Sequence, residues 1–374
     1  MSRYLEGDQV PQNKADFDRC TRLFQEALTL DAGAIFDRSR ALFCQGRAQI
    51  FAGQYDDAQR LLDESIRLDP RRAYAYNALG IAYLERIARI GQGFDQAAAA
   101  FRQAMRFAPY WAYPIHNLAL VSSERGDYDG AIQLYQRAMS VAPRFSYLPY
   151  NLGLLYERLG DLENARLWFE NARAVLEKSS QQHPAIWPDR ARIWNALGTV
   201  ARSEHRDAKA LGFFEKALAD DPNDKNSRHN LALLAADRGE FGRADDLWRA
   251  NIASDPAFMP SRIAYAESLA KRGETGPAIQ QYERMVSDKP EYTGAREALA
   301  KLYLTANQPG LAIPLLNAVL TQSGSNIGLL ELRGDAHAQL KESGAARNDW
   351  TKALNGSPDR AGKIRLKRKL RSLG

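Results

Sequence analysis

The 374-residue chain has two cysteines, Cys20 and Cys44, five histidines, and no run of eighteen apolar residues. Two cysteines exclude a disulfide framework and a thiolate-rich zinc site. Both fall on expected helices where small or apolar side chains belong, so they read as buried free thiols. With no long apolar run there is no candidate transmembrane helix, and Met1 opens no leader pattern. The chain is expected to be cytoplasmic, with a periplasmic location the alternative if an export signal has been removed. His116, His183, His205, His229 and His337 never pair at metal-ligand spacing around a carboxylate. No glycine-rich loop is placed to cradle phosphate, and neither cysteine has a sequence sign of an activating partner. No catalytic, metal-ligating or cofactor-binding residue is therefore expected, and the chain is not expected to be an enzyme.

An excess of charge is also missing over most of the length. The formal net charge of +6 is concentrated in residues 359–374, where Arg360, Lys363, Arg365, Lys367, Arg368, Lys369 and Arg371 stand against Asp359. The other 44 basic residues are balanced by 44 acidic ones. A body that tracks nucleic acid carries a basic stripe along it, so nucleic acid is not an expected partner.

What is present is a period. Pro222, Pro256 and Pro290 are 34 residues apart, as are Pro109 and Pro143. Proline cannot continue a helix, so each marks a helix end. Twelve residues before these prolines stands a small side chain, giving the series Ala58, Ala97, Ala131, Ala210, Ala244, Ala278 and Ala346, with Ala165 and Ala312 in the same frame. Four residues later comes a large one: Leu62, Phe101, Tyr135, Phe169, Phe214, Trp248, Tyr282, Leu316 and Trp350. A spacing of four puts both on one helix face. The small residue admits a neighbouring helix and the large one fills the hole beside it.

A second helix precedes each of these, marked by Leu79-Gly80, Leu118-Ala119, Leu152-Gly153, Leu197-Gly198, Leu231-Ala232 and Leu299-Ala300. Gly53, Gly126, Gly160, Gly239 and Gly273, with Asn307, sit where a left-handed residue ends a helix. The acidic or polar residue that follows can cap the next helix. The stretch from Trp194 to Pro222, WNALGTVARSEHRDAKALGFFEKALADDP, resembles a tetratricopeptide repeat, and YNALGIAY from Tyr76 to Tyr83 resembles the start of another.

That resemblance implies an all-α fold, a right-handed α-solenoid of stacked antiparallel helix pairs. It divides the chain into an N-terminal segment, 1–38, with a degenerate repeat; nine repeats over 39–358, with insertions near 85–94 and 177–191; and a basic C-terminal helix over 359–374. One helix pair cannot bury its apolar face alone, so the pairs stack and bury it together. Trp187, between prolines of the second insertion, is a candidate contact residue, since loops that protrude from a solenoid carry function.

The resemblance also implies that first helices line an inner groove that accepts a protein or peptide segment. The first-helix residues off the core face are Tyr74, Asn77, Tyr113, His116, Asn117, Tyr147, Tyr150, Asn151, Arg192, Asn195, Asn226, His229 and Asn230. Tyrosine offers rigid contact area with a polar tip, and asparagine both donates to and accepts from a peptide backbone. Asn117, Asn151 and Asn230 match the site where tetratricopeptide proteins grip bound backbone; Asn77 and Asn195 lie one residue earlier. From residue 260 onward the equivalent sites are Ile263, Glu267, Glu297 and Glu331, which are bland or acidic. The lysines with which one subgroup grips a terminal carboxylate are missing, so an acidic chaperone tail is not expected to bind.

The expected function is a non-catalytic scaffold that binds a partner segment. Alternatives are the recruiting region of a longer multidomain enzyme, or a subunit of a bacterial envelope assembly. The sequence leaves the oligomeric state open. In the tail, Leu366, Leu370 and Leu373 form an i, i+4, i+7 stripe, which reads as a capping helix. Its outer face is an alternative docking site for an acidic protein, RNA or an anionic membrane.

Overall fold

The computed structural model of the chain describes residues 35–90, 93–179, 190–323, 326–357 and 359–373, together with Asp18, Arg19, Arg22 and Glu26. Cys20, most of the expected N-terminal repeat, and Trp187 with most of its insertion lie outside the described residues. So do residues 91 and 92 of the other insertion.

Among the described residues there are nineteen α-helices and no strand, grouped in two compact units, Met1–Asp220 and Asp221–Gly374. The first unit holds five antiparallel pairs: α1 (Ile35–Phe51) with α2 (Tyr55–Leu68), α3 (Ala73–Ile90) with α4 (Phe94–Phe107), α5 (Ala112–Glu124) with α6 (Tyr128–Val141), α7 (Tyr147–Arg158) with α8 (Leu162–Ser179), and α9 (Arg190–Ser203) with α10 (Asp207–Asp220). The second holds α11 (Lys225–Asp237) with α12 (Phe241–Ser254), α13 (Met259–Lys271) with α14 (Thr275–Asp288), α15 (Thr293–Thr305) with α16 (Pro309–Ser323), and α17 (Ile327–Gln339) with α18 (Ser343–Gly356). A final helix, α19 (Arg360–Arg371), packs on α18.

The small and large periodic residues form the core of both units. All nine alanines of the series are fully buried, and each large partner is at most 5% exposed. Gly80 and Gly198 show why the first helix needs a small residue opposite. A methyl group added at either would sit 2.4 Å from the ring of Phe101 or Phe214. Where the first helix carries Ala119, the second presents Tyr135 in the same cluster. Each ring plugs a hole that its own pair provides, and burying one such side chain is worth about 1.5–3 kcal/mol.

The turns inside the pairs are set by backbone sterics. Gly53, Gly126, Gly160, Gly239 and Gly273 all take φ between +73° and +81°, and Asn307 takes +55°. His205 and Lys341 occupy the same left-handed position, at +57° and +62°, without being glycine or asparagine. Side-chain caps follow at some turns and not at others: Asp127 accepts from the Gly130 N–H at 3.1 Å, whereas Gln54, Glu240 and Glu274 make no such bond. Cys44 is buried and disulfide-bonded, its partner outside the described residues. This corrects the free-thiol expectation: a bonded sulfur and a free one fit the same small apolar position, so helix register cannot separate them.

Within the first unit α1 touches α3, α3 touches α5, and α7 touches α9; within the second, α11 touches α13 and α15 touches α17. Successive second helices make no comparable contact among the described residues. Crowding on the first-helix side curves each stack toward that side, which makes it the inner face of each unit.

Candidate functional site

In the first unit the inner face carries a polar relay across three consecutive first helices. The Asn151 amide on α7 lies 2.9 Å from His116 Nε2 on α5. His116 Nδ1 lies 3.2 Å from the neighbouring Asn117 Oδ1, and the Asn117 amide donates to Asn77 Oδ1 on α3 at 3.0 Å. Only one imidazole state satisfies the series: neutral, with the proton on Nδ1, so that Nε2 accepts from Asn151 and Nδ1–H donates to Asn117. Burial pushes His116 down to about 4, partly opposed by its bond to Asn117, and the ring is neutral at physiological pH. The Asn151 carboxamide oxygen has no partner among the described residues.

Beside the relay runs a strip of aromatic rings. Phe43 and Tyr74 have centroids 6.5 Å apart, Tyr74 and Trp111 4.6 Å, and Trp111 and Tyr113 6.2 Å. Tyr113 stacks on Tyr147 at 5.7 Å, with Phe145 against both at 6.0 and 5.6 Å. His116 meets Tyr147 edge-on at 5.0 Å, which joins strip and relay. At the end of α5 and α7 a cleft of about 350 Å³ opens between the two preceding connections. It is lined by Tyr110, Trp111, Ala112, Tyr113, Val141, Ala142, Pro143, Arg144 and Phe145. Tyr110 is 86% exposed at its rim.

The structure therefore brings Tyr74, Asn77, Tyr113, His116, Asn117, Tyr147 and Asn151 together. Asn77, one helical residue out of register with Asn117, is nevertheless its hydrogen-bond partner. Tyr150 packs its ring on the core Phe169 at 5.6 Å. Arg192 on α9 is exposed, and Asn195 on the same helix is half-buried with its carbonyl accepting from Thr199 Oγ1. Asn226, His229 and Asn230 belong to α11 in the second unit. There His229 Nδ1 is 3.2 Å from Ser261 Oγ and its ring stands edge-on to Phe258 at 6.0 Å. Of the acidic sites, Glu331 is turned to α19, with Arg365 at 2.8 Å on each carboxylate oxygen.

Phe43 on α1 is a member of the strip that sequence reading missed, and so are Trp111 and Phe145. A signal exists for the latter two: both stand two residues after a repeat-ending proline, and Phe258 and Tyr292 hold the same position after Pro256 and Pro290. Trp111, Phe258 and Tyr292 each stand immediately before a first helix, and Phe145 two residues before one. Among the described residues no group of three His, Cys, Asp or Glu side chains could hold a metal ion.

A family model described as tetratricopeptide repeat matches residues 45–110, 116–174 and 169–225. No curated protein sequence matches the chain. Among solved structures, the yeast Tom70 is 14% identical over 96% of this chain and 85% of its own, with a TM-score of 0.53. A tetratricopeptide repeat protein from Parabacteroides merdae is 19% identical over 69% of this chain and 98% of its own, at a TM-score of 0.45. In the Cut9–Hcn1 complex, the corresponding values are 17%, 86% and 52%, at 0.48. The likeness to Tom70 is one of fold. The matched repeats, with the paired helices and their small-and-large core register, identify residues 45–225 as tetratricopeptide repeats, a protein-interaction repeat scaffold.

Proposed function

We propose that the inner face of the first unit holds an extended segment of a partner protein and performs no chemistry on it. The observation that carries the proposal is the aromatic strip running beside a polar relay over α3, α5 and α7. Flat rings give a peptide's apolar side chains a rigid surface at small entropic cost. The free Asn151 oxygen offers a backbone N–H an acceptor next to that surface. Tyr110, projecting from the rim of the cleft, adds an anchor that a side chain of the partner can cover. Arg192 on α9 extends the same face, and Asn226, His229 and Asn230 supply a comparable set within the second unit.

Substituting Asn117, Asn151 and Tyr147 would mix binding with stability, because all three are bonded or packed within the fold. Tyr110→Ser is the cleaner variant, since it removes a ring that is 86% exposed and leaves every packed member of the strip in place. Proteins retained from native lysate by the wild type should be lost by this variant at an unchanged melting temperature. Identical capture by both refutes the assignment of the groove.

A further inference from the structure

The outward face of α19 is the most concentrated charge on the protein that the fold does not use. Leu366 is fully buried in the cluster formed with Leu330, Ala346, Trp350 and Ala353, and Leu370 and Leu373 pack against it. Two of the seven cations are also engaged inward: Arg365 with Glu331, and Lys369 with Asp335 at 2.6 Å. The other five, Arg360, Lys363, Lys367, Arg368 and Arg371, are exposed, and no carboxylate among the described residues pairs with them. At 3.6 residues per turn they fall within an arc of roughly 140° whose middle lies about 130° round the helix from Leu366. Ile364, 52% exposed, lies inside that arc.

We infer that this face docks the protein peripherally on an anionic lipid surface. Charge sets the sign of the partner, and the form of the face sets its kind. A specific protein interface is anchored by aromatic or fixed charged side chains entering pockets. This helix has no aromatic residue, and its five outward cations are held by no neighbour. Single-stranded nucleic acid is gripped by stacking its bases on rings, which are missing for the same reason. A headgroup layer demands neither: anionic lipids rearrange laterally under unfixed cations, and each Lys or Arg near the surface strengthens binding about fivefold. Ile364 amid the cations can enter between headgroups, where an exposed apolar side chain is favourable. No helix among the described residues is long and apolar enough to cross a membrane, so the contact is one of surface and not of insertion.

The test is sedimentation of the full chain with vesicles of phosphatidylcholine alone and with a third phosphatidylglycerol. Binding should require the anionic lipid and weaken with added salt. Lys367→Gln with Arg368→Gln should reduce it about 25-fold, two cations at fivefold each. Because Arg365, Lys369 and Leu366 are retained, that variant should melt at the wild-type temperature. Ile364→Ser should weaken vesicle binding further. No dependence on anionic lipid, or undiminished binding by the double variant, overturns the inference. So does displacement from the vesicles by a nucleic acid duplex or an acidic peptide at equal charge with Ile364 making no difference, which assigns the face to that partner.

Discussion

The relay through His116 makes stability depend on pH in a defined window. In the unfolded chain an imidazole titrates near 6.5, whereas in the fold His116 is held down to about 4. As pH falls through 6.5 the unfolded chain takes up a proton that the folded chain refuses. The contribution is therefore complete above 6.5, declines as pH drops toward 4, and is flat below that. The full difference corresponds to about 3 kcal/mol, of which ~2 kcal/mol should be lost between about pH 7 and pH 5. The structural cause is burial of the ring, which disfavours its charged form; a protonated ring would also turn Nε2 into a donor facing the Asn151 amide 2.9 Å away. Urea denaturation followed by circular dichroism, at pH 7 and at pH 5, reads the loss. His116→Gln is the control, because an amide keeps polar capacity and does not titrate. Burial raises Asp63 and Glu157, which acts in the opposite sense, but both residues are common to the two proteins and cancel in the comparison. Superimposable pH dependences for wild type and His116→Gln would refute the neutral, relayed histidine.

Four further substitutions separate the forces in the fold. Gly126→Ala should cost about 1–2 kcal/mol through backbone strain alone, since φ is +81° and nothing lies within 4 Å of the new methyl group. Gly198→Ala should cost a comparable ~1–3 kcal/mol by collision with Phe214, and a second change to Phe214→Leu should recover part of it, which no such change does for Gly126→Ala. Phe214→Ala should cost about 3–5 kcal/mol in the same denaturation assay. Glu331→Gln should speed amide exchange in α19 by at least roughly tenfold, through the lost charge-assisted bonds to Arg365 and Lys369. These same bonds, Arg365 foremost, hold the Glu331 carboxyl at about 2, so acid should release α19 as pH falls from 4.5 toward 2.

The core was legible because it depends on helix periodicity, and periodicity survives drift in the intervening residues. Ala210 with Phe214 could be placed without coordinates, as could the five turn glycines, since few other residues take positive φ at low cost. His205 and Lys341 were not legible: both are exposed residues of types that rarely take positive φ, and the local backbone hydrogen bonds of the helix end accompany that conformation with no glycine to mark it. At the candidate site the residue types were visible and their partners were not. Asn77 and Asn117 sit about 100° apart in helical register, yet their amides meet at 3.0 Å across neighbouring first helices, a contact that register within one repeat does not encode. Trp111 and Phe145 were overlooked since their segments read as turns, and turn chemistry says nothing about where an adjacent ring points.

The fit of Phe101 into the space beside Gly80 has a bearing on how such a chain can be rebuilt. Ring and hole belong to the two helices of one pair, and the neighbouring pair solves the same problem with Ala119 and Tyr135. A recombination that cuts in the turn between α3 and α4 would join a hole to the wrong plug. One that cuts near Pro109 or Pro143 transfers both halves together. The heritable module of this architecture is thus the matched couple, and proline is its seam.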